Sequence, residues 1–479
     1  MIRFGTDGWR AVIADTFTFA NVRQLSQAVA EYVNKHHAGS QPPEVVVGYD
    51  TRFLSDRFAM ETARVLAGNN IVTWLTRTDA PTPAISYNVK EKGAAVGIVI
   101  TASHNPPRYN GFKLKASYGG SATAEQCALV EEELMAMEGE ARGPNIMDYQ
   151  HALDAGLIRR FDPSWSYYQH LGTLVDLDCI SEGELNVVAD AMWGAGRGAF
   201  AGILSRTRTR VSEIRAALNP GFGGIHPEPI MRNLNDLVAA VQRLQADVGL
   251  ATDGDADRIG AIDAHGTFID PHTVFALTLR HLVENKHLRG EIVKTVSTTM
   301  MIDALVQKYG LKLHETPVGF NHIADLMMKK DVLIGGEESG GISIRGHIPE
   351  GDGILMGLLL LEVMAFHHAP LHEIVADLQA NYGPACYARL DVQLHQQKPK
   401  KMIVQMLADS APSQLNGETV VRVDTLDGIK FYMSDNSWLL IRPSGTEPLL
   451  RIYAEAHTQD AVKALLEYGD SMGKQVTAN

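Results

Sequence analysis

Asp253, Asp255 and Asp257 alternate along the segment DGDADR, residues 253–258. Three close carboxylates repel one another unless a cation neutralises them, and an all-oxygen set on a tight glycine-assisted loop suits a hard divalent ion, magnesium first. An EF-hand is the obvious competitor. Its twelfth position would need a bidentate Glu, and here it is Ala264. A solvated acidic turn is the remaining alternative.

A second segment, TASHNPPRYNGFK, runs from Thr101 to Lys113. Its prolines and glycine forbid a helix, so Ser103 sits on a loop, where its hydroxyl could act as a nucleophile or carry phosphate. Lys113 could fold back towards it. His104 is adjacent in sequence and poorly placed as its base, yet it belongs with Ser103 among the catalytic candidates. A plain turn held by Ser and Asn side chains competes with this reading.

Two further loops complete the set. In GGEESGG, residues 335–341, Glu337 and Ser339 offer an acceptor and a donor that suit vicinal sugar hydroxyls. In RPSGTEP, residues 442–448, the side chains of Arg442, Ser444 and Thr446 and the backbone N–H groups around Gly445 could form an anion-binding nest, with Arg451 close behind. A hydroxyl, a hard metal, a sugar loop and a cationic clamp together make an inventory for phosphoryl transfer.

The first three loops each follow a short β-branched or apolar run. Residues 97–100 lead into TASHNPP, residues 247–250 into TDGDADR, and residues 331–334 into GGEESGG. Before each loop the pattern reads strand, helix, strand, helix, strand, as in residues 45–48, 57–67 and 71–75. This predicts a unit of about 110 residues used three times, with its loops outside the carboxyl ends of parallel strands, where ligands gather. The C-terminal stretch reads differently. It gives strands near 390–394, 420–423, 437–441 and 451–456, a helix near 402–408 and a final helix. The expected fold is therefore three related α/β domains with mixed, mostly parallel sheets (1–150, 151–265 and 266–380) followed by a smaller α+β domain (381–479).

At 479 residues the chain exceeds what one core organises, so several domains are expected, each burying its own core. A formal net charge of -13 would repel polyanions, which argues against nucleic-acid or anionic-membrane partners and requires a locally basic cleft for a phosphorylated substrate. Three widely spaced cysteines, Cys127, Cys179 and Cys386, form no disulfide or metal pattern and point to a reducing cytoplasm. No secretion signal opens the sequence. The most apolar segment, residues 354–366, is too short to span a bilayer and contains Glu362, so it reads as a buried helix.

The loops resemble, in order and spacing, those of the α-D-phosphohexomutase superfamily of phosphoglucomutases and phosphomannomutases. The resemblance spans essentially the whole chain from FGTDGWR, residues 4–10. It implies a heart-shaped four-domain molecule with one deep cleft. It also implies a phosphoserine at Ser103, and Mg²⁺ on Asp253, Asp255 and Asp257 with the Ser103 phosphate completing the site. Arg258 would face the cleft, Glu337 and Ser339 would hold sugar hydroxyls, and Arg442, Ser444, Gly445, Thr446 and Arg451 would bind the non-reacting phosphate. Arg10 and Lys113 would lie beside the phosphoserine.

The implied activity interconverts hexose 1-phosphate and 6-phosphate through a hexose 1,6-bisphosphate, which also serves as activator, in a monomer or dimer. GEESGG differs from the GEQSGH of phosphoglucosamine mutases, which favours glucose or mannose; a glucosamine mutase or a phosphoserine-type sugar phosphatase is the alternative. Asn321 stands where many relatives carry a lysine, which puts that lysine's substrate role in question here, and Lys294, on a nearby predicted strand, could compensate.

Overall fold

The computed structural model describes residues 2–478 except 6, 7, 38, 40, 394–398 and 445–448, with side chains described as far as residue 474. Its strands fall into four sheets. The first contains β1 (Trp9–Val12), β2 (Glu44–Tyr49), β3 (Val72–Thr76), β4 (Val96–Ile100), β5 (Tyr109–Ala116) and β6 (Ile158–Phe161), in the order β1-β5-β4-β2-β3-β6. The second contains β7 (Asn186–Asp190), β8 (Arg210–Ile214), β9 (Val248–Thr252), β10 (Ile259–Asp263) and β11 (Phe268–Ile269), in the order β11-β10-β9-β7-β8. The third contains β12 (Glu291–Thr295), β13 (Leu313–Thr316), β14 (Val332–Gly336) and β15 (Ile342–Ile344), in the order β13-β12-β14-β15.

One motif of four strands recurs in all three. A pair of parallel strands is joined by a third parallel strand, and the chain then reverses to add an antiparallel neighbour: β3-β2-β4-β5, β8-β7-β9-β10 and β13-β12-β14-β15. The reversal is where each polar loop sits. The repeat expected from the sequence is therefore present, and its loop links a buried parallel strand to the strand that doubles back along it.

Burial explains why the central strands read as unbroken apolar runs. In β2, Val45 and Val47 pack with Ala28, Phe58 and Leu66 on one face, while Val46 packs with Ile85 and Val89 on the other. A parallel sheet covered on both faces leaves no polar alternation to see. The first sheet also reaches past residue 150. Its edge strand β6, the four residues IRRF, pairs with β3; with two exposed arginines in four residues it carries almost no strand signal.

The second and third units each keep a small apolar cluster on one face of their sheet but share their main core, contrary to the expectation of one core per domain. The helix Gly353–His367 is apolar all round, every residue from Gly353 to Ala365 is buried, and one continuous cluster joins it to both sheets. Glu362, the one carboxylate in its middle, is neutralised by Lys286 Nζ at 2.6 Å and bonded to His281 Nε2 at 3.1 Å. No single helix among the described residues is long and apolar enough to cross a membrane.

The fourth sheet is fully antiparallel. It contains β16 (Cys386–Gln393), β17 (Gln414–Leu415), β18 (Glu418–Asp424), β19 (Ile429–Met433), β20 (Trp438–Pro443) and β21 (Leu449–Ala456), in the order β16-β21-β20-β19-β18-β17. One face packs Leu439, Ile441, Leu450 and Ile452 against the helices Lys400–Asp409 and Gln459–Ala478. The other face presents Tyr432, Trp438 and Tyr453 to Val296 and Val318 of the third unit.

Candidate active site

β4 delivers Ser103 and β5 returns with Lys113, so two residues ten positions apart in sequence face the same point. Ser103 has φ 50°, a left-handed backbone that a non-glycine residue rarely adopts, and is buried. Its Oγ donates to Asp253 Oδ2 at 2.8 Å, joining the loops of the first and second sheets. His104 Nδ1 lies 3.3 Å from the same Oγ. The left-handed turn at Ser103 brings this ring closer than sequence adjacency suggested. Burial, and then the charges of Arg258, Arg10, Arg52 and Lys113, hold the imidazole well below its ordinary pKa, so it is neutral at pH 7.

The three aspartates converge as their spacing predicts, each offering one oxygen within 4.8 Å of the others. Asp253 and Asp255 are fully buried. Burial, with Asp257 and Asp255 beside it, drives Asp253 well above the usual carboxylate range. Lys113 Nζ bridges Asp255 Oδ2 at 2.9 Å and Asp257 Oδ2 at 3.0 Å. Thr82, at the start of the helix Thr82–Glu91, donates its N–H to Asp255 O and its hydroxyl to Asp255 Oδ2, at 2.8 and 2.7 Å. A compact, buried, all-oxygen donor set fits Mg²⁺, which Asp253, Asp255 and Asp257 would hold, with the oxygen on Ser103 beside them.

Basic side chains surround this point. Arg10 Nη1 donates to Asn105 Oδ1 at 2.7 Å within the serine loop. Arg258 stands 3.9 Å from Asp257 and 3.8 Å from Glu228. Burial works against its charge, but Asp257, Asp253 and Glu228 outweigh it and raise its pKa.

In the third unit, Glu337 Oε1 accepts the N–H of Gly319 at 2.9 Å, which ties the sugar-loop candidate to the segment carrying Asn321. Burial, then the neighbouring Glu338, push Glu337 up to about 8, so at neutral pH it can donate as well as accept a hydrogen bond. Ser339 lies on the same turn, partly buried, beside Gly340 at φ 95°. Lys294 does not fill the role expected of it. It is fully buried, bonded to Asp303 and to Thr299 O, with Glu315 at 3.9 Å.

In the fourth sheet Arg442 and Arg451 lie opposite each other across β20 and β21, which brings two guanidinium groups to one place. Arg442 Nε is held by Asp427 Oδ2 at 2.6 Å, and Ser444 N bonds Leu449 O at 2.9 Å. Gly445 and Thr446 lie outside the described residues.

Sequence reasoning missed Asp50, Arg52, Thr82 and Thr101, all buried around the serine and metal loops. Asp50 and Arg52 directly follow β2, at the same kind of strand end as the loops that were noticed, and that position was the available signal.

Four family profiles match the chain. They are phosphoglucomutase/phosphomannomutase alpha/beta/alpha domain I over residues 1–140, domain II over 165–266, domain III over 270–382 and the C-terminal domain over 396–468. A phosphoglucomutase/phosphomannomutase of Thermococcus kodakarensis is 30% identical, covering 97% of this chain and 97% of its own. A phosphoglucosamine mutase of Geobacillus kaustophilus is 29% identical over 97% and 96%. Among solved structures, a Thermus thermophilus protein provisionally assigned as a phosphomannomutase is 36% identical and superposes with a TM-score of 0.84 over 98% of both chains.

Proposed function

As the chain belongs to the phosphoglucomutase/phosphomannomutase family, whose members are isomerases that interconvert sugar phosphates, we propose that it moves a phosphoryl group between C1 and C6 of glucose or mannose through a phosphoserine at Ser103. The observation that carries this reading is the hydroxyl of Ser103, buried and 2.8 Å from Asp253 within the aspartate cluster.

In this reading the non-reacting phosphate rests on Arg442, Ser444, Arg451 and the adjoining Gly445 and Thr446. Glu337 and Ser339 hydrogen-bond the sugar hydroxyls, which presents the free C1 or C6 hydroxyl to phosphoserine. The new sugar O–P bond forms as the Ser103 Oγ–P bond breaks. The hydroxyl proton passes to a neighbouring base, for which neutral His104 is the candidate, and ends on Oγ, with Lys113 close enough to assist the transfer. Arg10, Lys113 and Arg258 offset negative charge on the transferring group. Bound Mg²⁺ would neutralise the aspartates and polarise the phosphoryl oxygens. After the hexose 1,6-bisphosphate turns over, its other phosphate returns to Ser103 by the same steps, and a trace of bisphosphate primes a serine that has lost its phosphate.

The test is conversion of glucose, mannose and glucosamine phosphates by wild type and Ser103→Ala, with Mg²⁺ and a trace of the matching bisphosphate, while free phosphate is followed. Serine-dependent isomerisation without phosphate release supports the mutase, and the ratio of kcat/KM values names the sugar. Release of phosphate in place of isomerisation would point to a phosphatase. Full activity in Ser103→Ala would sink the phosphoserine.

A further inference from the structure

A side chain with no donor left for a substrate holds the loop that carries Ser103. Arg52 follows β2 and, like its partner Asp50, has no side-chain exposure. A guanidinium has five N–H groups, and each of these five meets an oxygen. Nε donates to Asp50 Oδ2 at 3.0 Å, Nη1 to the carbonyls of Pro106 and Tyr109 at 3.0 and 3.1 Å, and Nη2 to those of Ser103 and Asn105, the latter at 2.8 Å. Four of the five acceptors are backbone oxygens of one loop. Phe222, from the second unit, lies over the guanidinium with its ring centroid at 4.9 Å.

Asp50 does the complementary work. Its Oδ2 accepts the hydroxyl of Thr101 at 2.7 Å, and Thr101 Oγ1 accepts the N–H of Ser103 at 2.8 Å. Oδ1 accepts from Ser55 Oγ at 2.9 Å and from Arg52 N at 3.0 Å. Both backbone groups of Ser103 are thus bound to the Asp50–Arg52 pair, its carbonyl directly and its N–H through Thr101. This happens at a residue whose left-handed φ would not persist without support. From the far side the metal loop presses on the same carbonyl: a Cβ on Gly254 would stand 2.4 Å from Ser103 O.

We infer that Arg52, oriented by Asp50, is a positioning residue for the phosphoryl transfer. It fixes the backbone of Ser103 so that Oγ meets the aspartate cluster, and it makes no contact with phosphate because all its donors are spent. The inference rests on Ser103 as the phosphoryl carrier.

Arg52→Lys tests it, since lysine keeps the charge but offers three donors from one atom and cannot span four carbonyls and a carboxylate. The expected result is a fall in kcat of about 100-fold with KM for the hexose phosphate changed by less than about threefold, because the sugar loop and the clamp lie in other units. Thermal melting should stay cooperative. In Arg52→Ala, added guanidinium ion should restore part of kcat saturably, whereas methylammonium should not.

Wild-type kcat in Arg52→Lys would overturn the inference. So would a rise in KM at unchanged kcat, which would make Arg52 a substrate ligand, or a loss that merely follows the unfolded fraction. Ser103→Ala, run alongside, separates the two layers. Activity in that variant removes the phosphoserine itself, while an inactive Ser103→Ala beside a fully active Arg52→Lys removes only the role given to Arg52.

Discussion

Where the first two units meet, Ser103, Lys113 and three aspartates are locked into each other by buried bonds. In the last unit, Arg442 and Arg451 stand side by side on one antiparallel sheet. Bonds that join that sheet to the rest run to the third unit: Lys430 to Val296 O, Tyr432 to Glu315, Met300 N to Glu455 and Val318 N to Asp427. The serine site gains its precision from redundancy, with several elements fixing one atom. Among the described residues the hydrogen bonds of the last sheet to other units reach the third alone, which under the proposed mechanism suits a site that receives the sugar by either of its phosphates. Variants at the first should therefore act on kcat, and variants at the second on KM.

The largest effect is expected from Asp255→Asn, which removes charge from the metal cluster and also disturbs the Thr82 and Lys113 contacts. The kcat should fall about 10³-fold, and the Mg²⁺ concentration giving half-maximal rate should rise; a normal Mg²⁺ titration would contradict the assignment. Next comes Gly254→Ala, whose methyl has no room beside Ser103 O. A loss near 100-fold in kcat at constant KM is expected, read from initial rates over a range of substrate concentrations. Arg442→Lys keeps a charge for Asp427 but loses the planar fork. It should raise KM about tenfold with a smaller change in kcat, and the reverse pattern would erase the contrast between the two sites.

The smallest effect concerns the mounting. Burial, and then the charge of Lys294, lower Lys430 from an ordinary 10.5 to about 7. Between those values the unfolded chain binds more protons than the folded one. The native state therefore gains stability as pH rises from about 7 towards 10.5, and that gain is lost as pH falls through 7. In Lys430→Met this component of the pH slope should vanish, a difference of about 2–4 °C in Tm across the window, measured by thermal scans of both proteins.

Much of this contrast was readable in the chain because the chemistry is local. Asp253, Asp255 and Asp257 lie within five residues, and the loop after each central strand is short, so side-chain type and position identified them together. What the sequence could not display were partners brought in from a distance. Thr82 reaches Asp255 across 173 positions and Arg52 reaches Ser103 across 51, and neither separation has a period. Lys294 misled for the opposite reason. Its place on a strand was correct, but β12 turns its ammonium towards Asp303. In the last unit β19 was missed because IKFYM is buried at every position and short, which leaves periodicity nothing to register.

The helix Gly353–His367 has a consequence for how the molecule comes apart. Since the interiors of the second and third sheets meet on it, neither can melt while the other stays folded without exposing a helix that has no polar side. The repeat that counts three units by topology is therefore expected to count fewer by cooperativity, the middle of the chain unfolding as one body, and cutting the gene between these two units would bare the shared face of the second and the helix of the third.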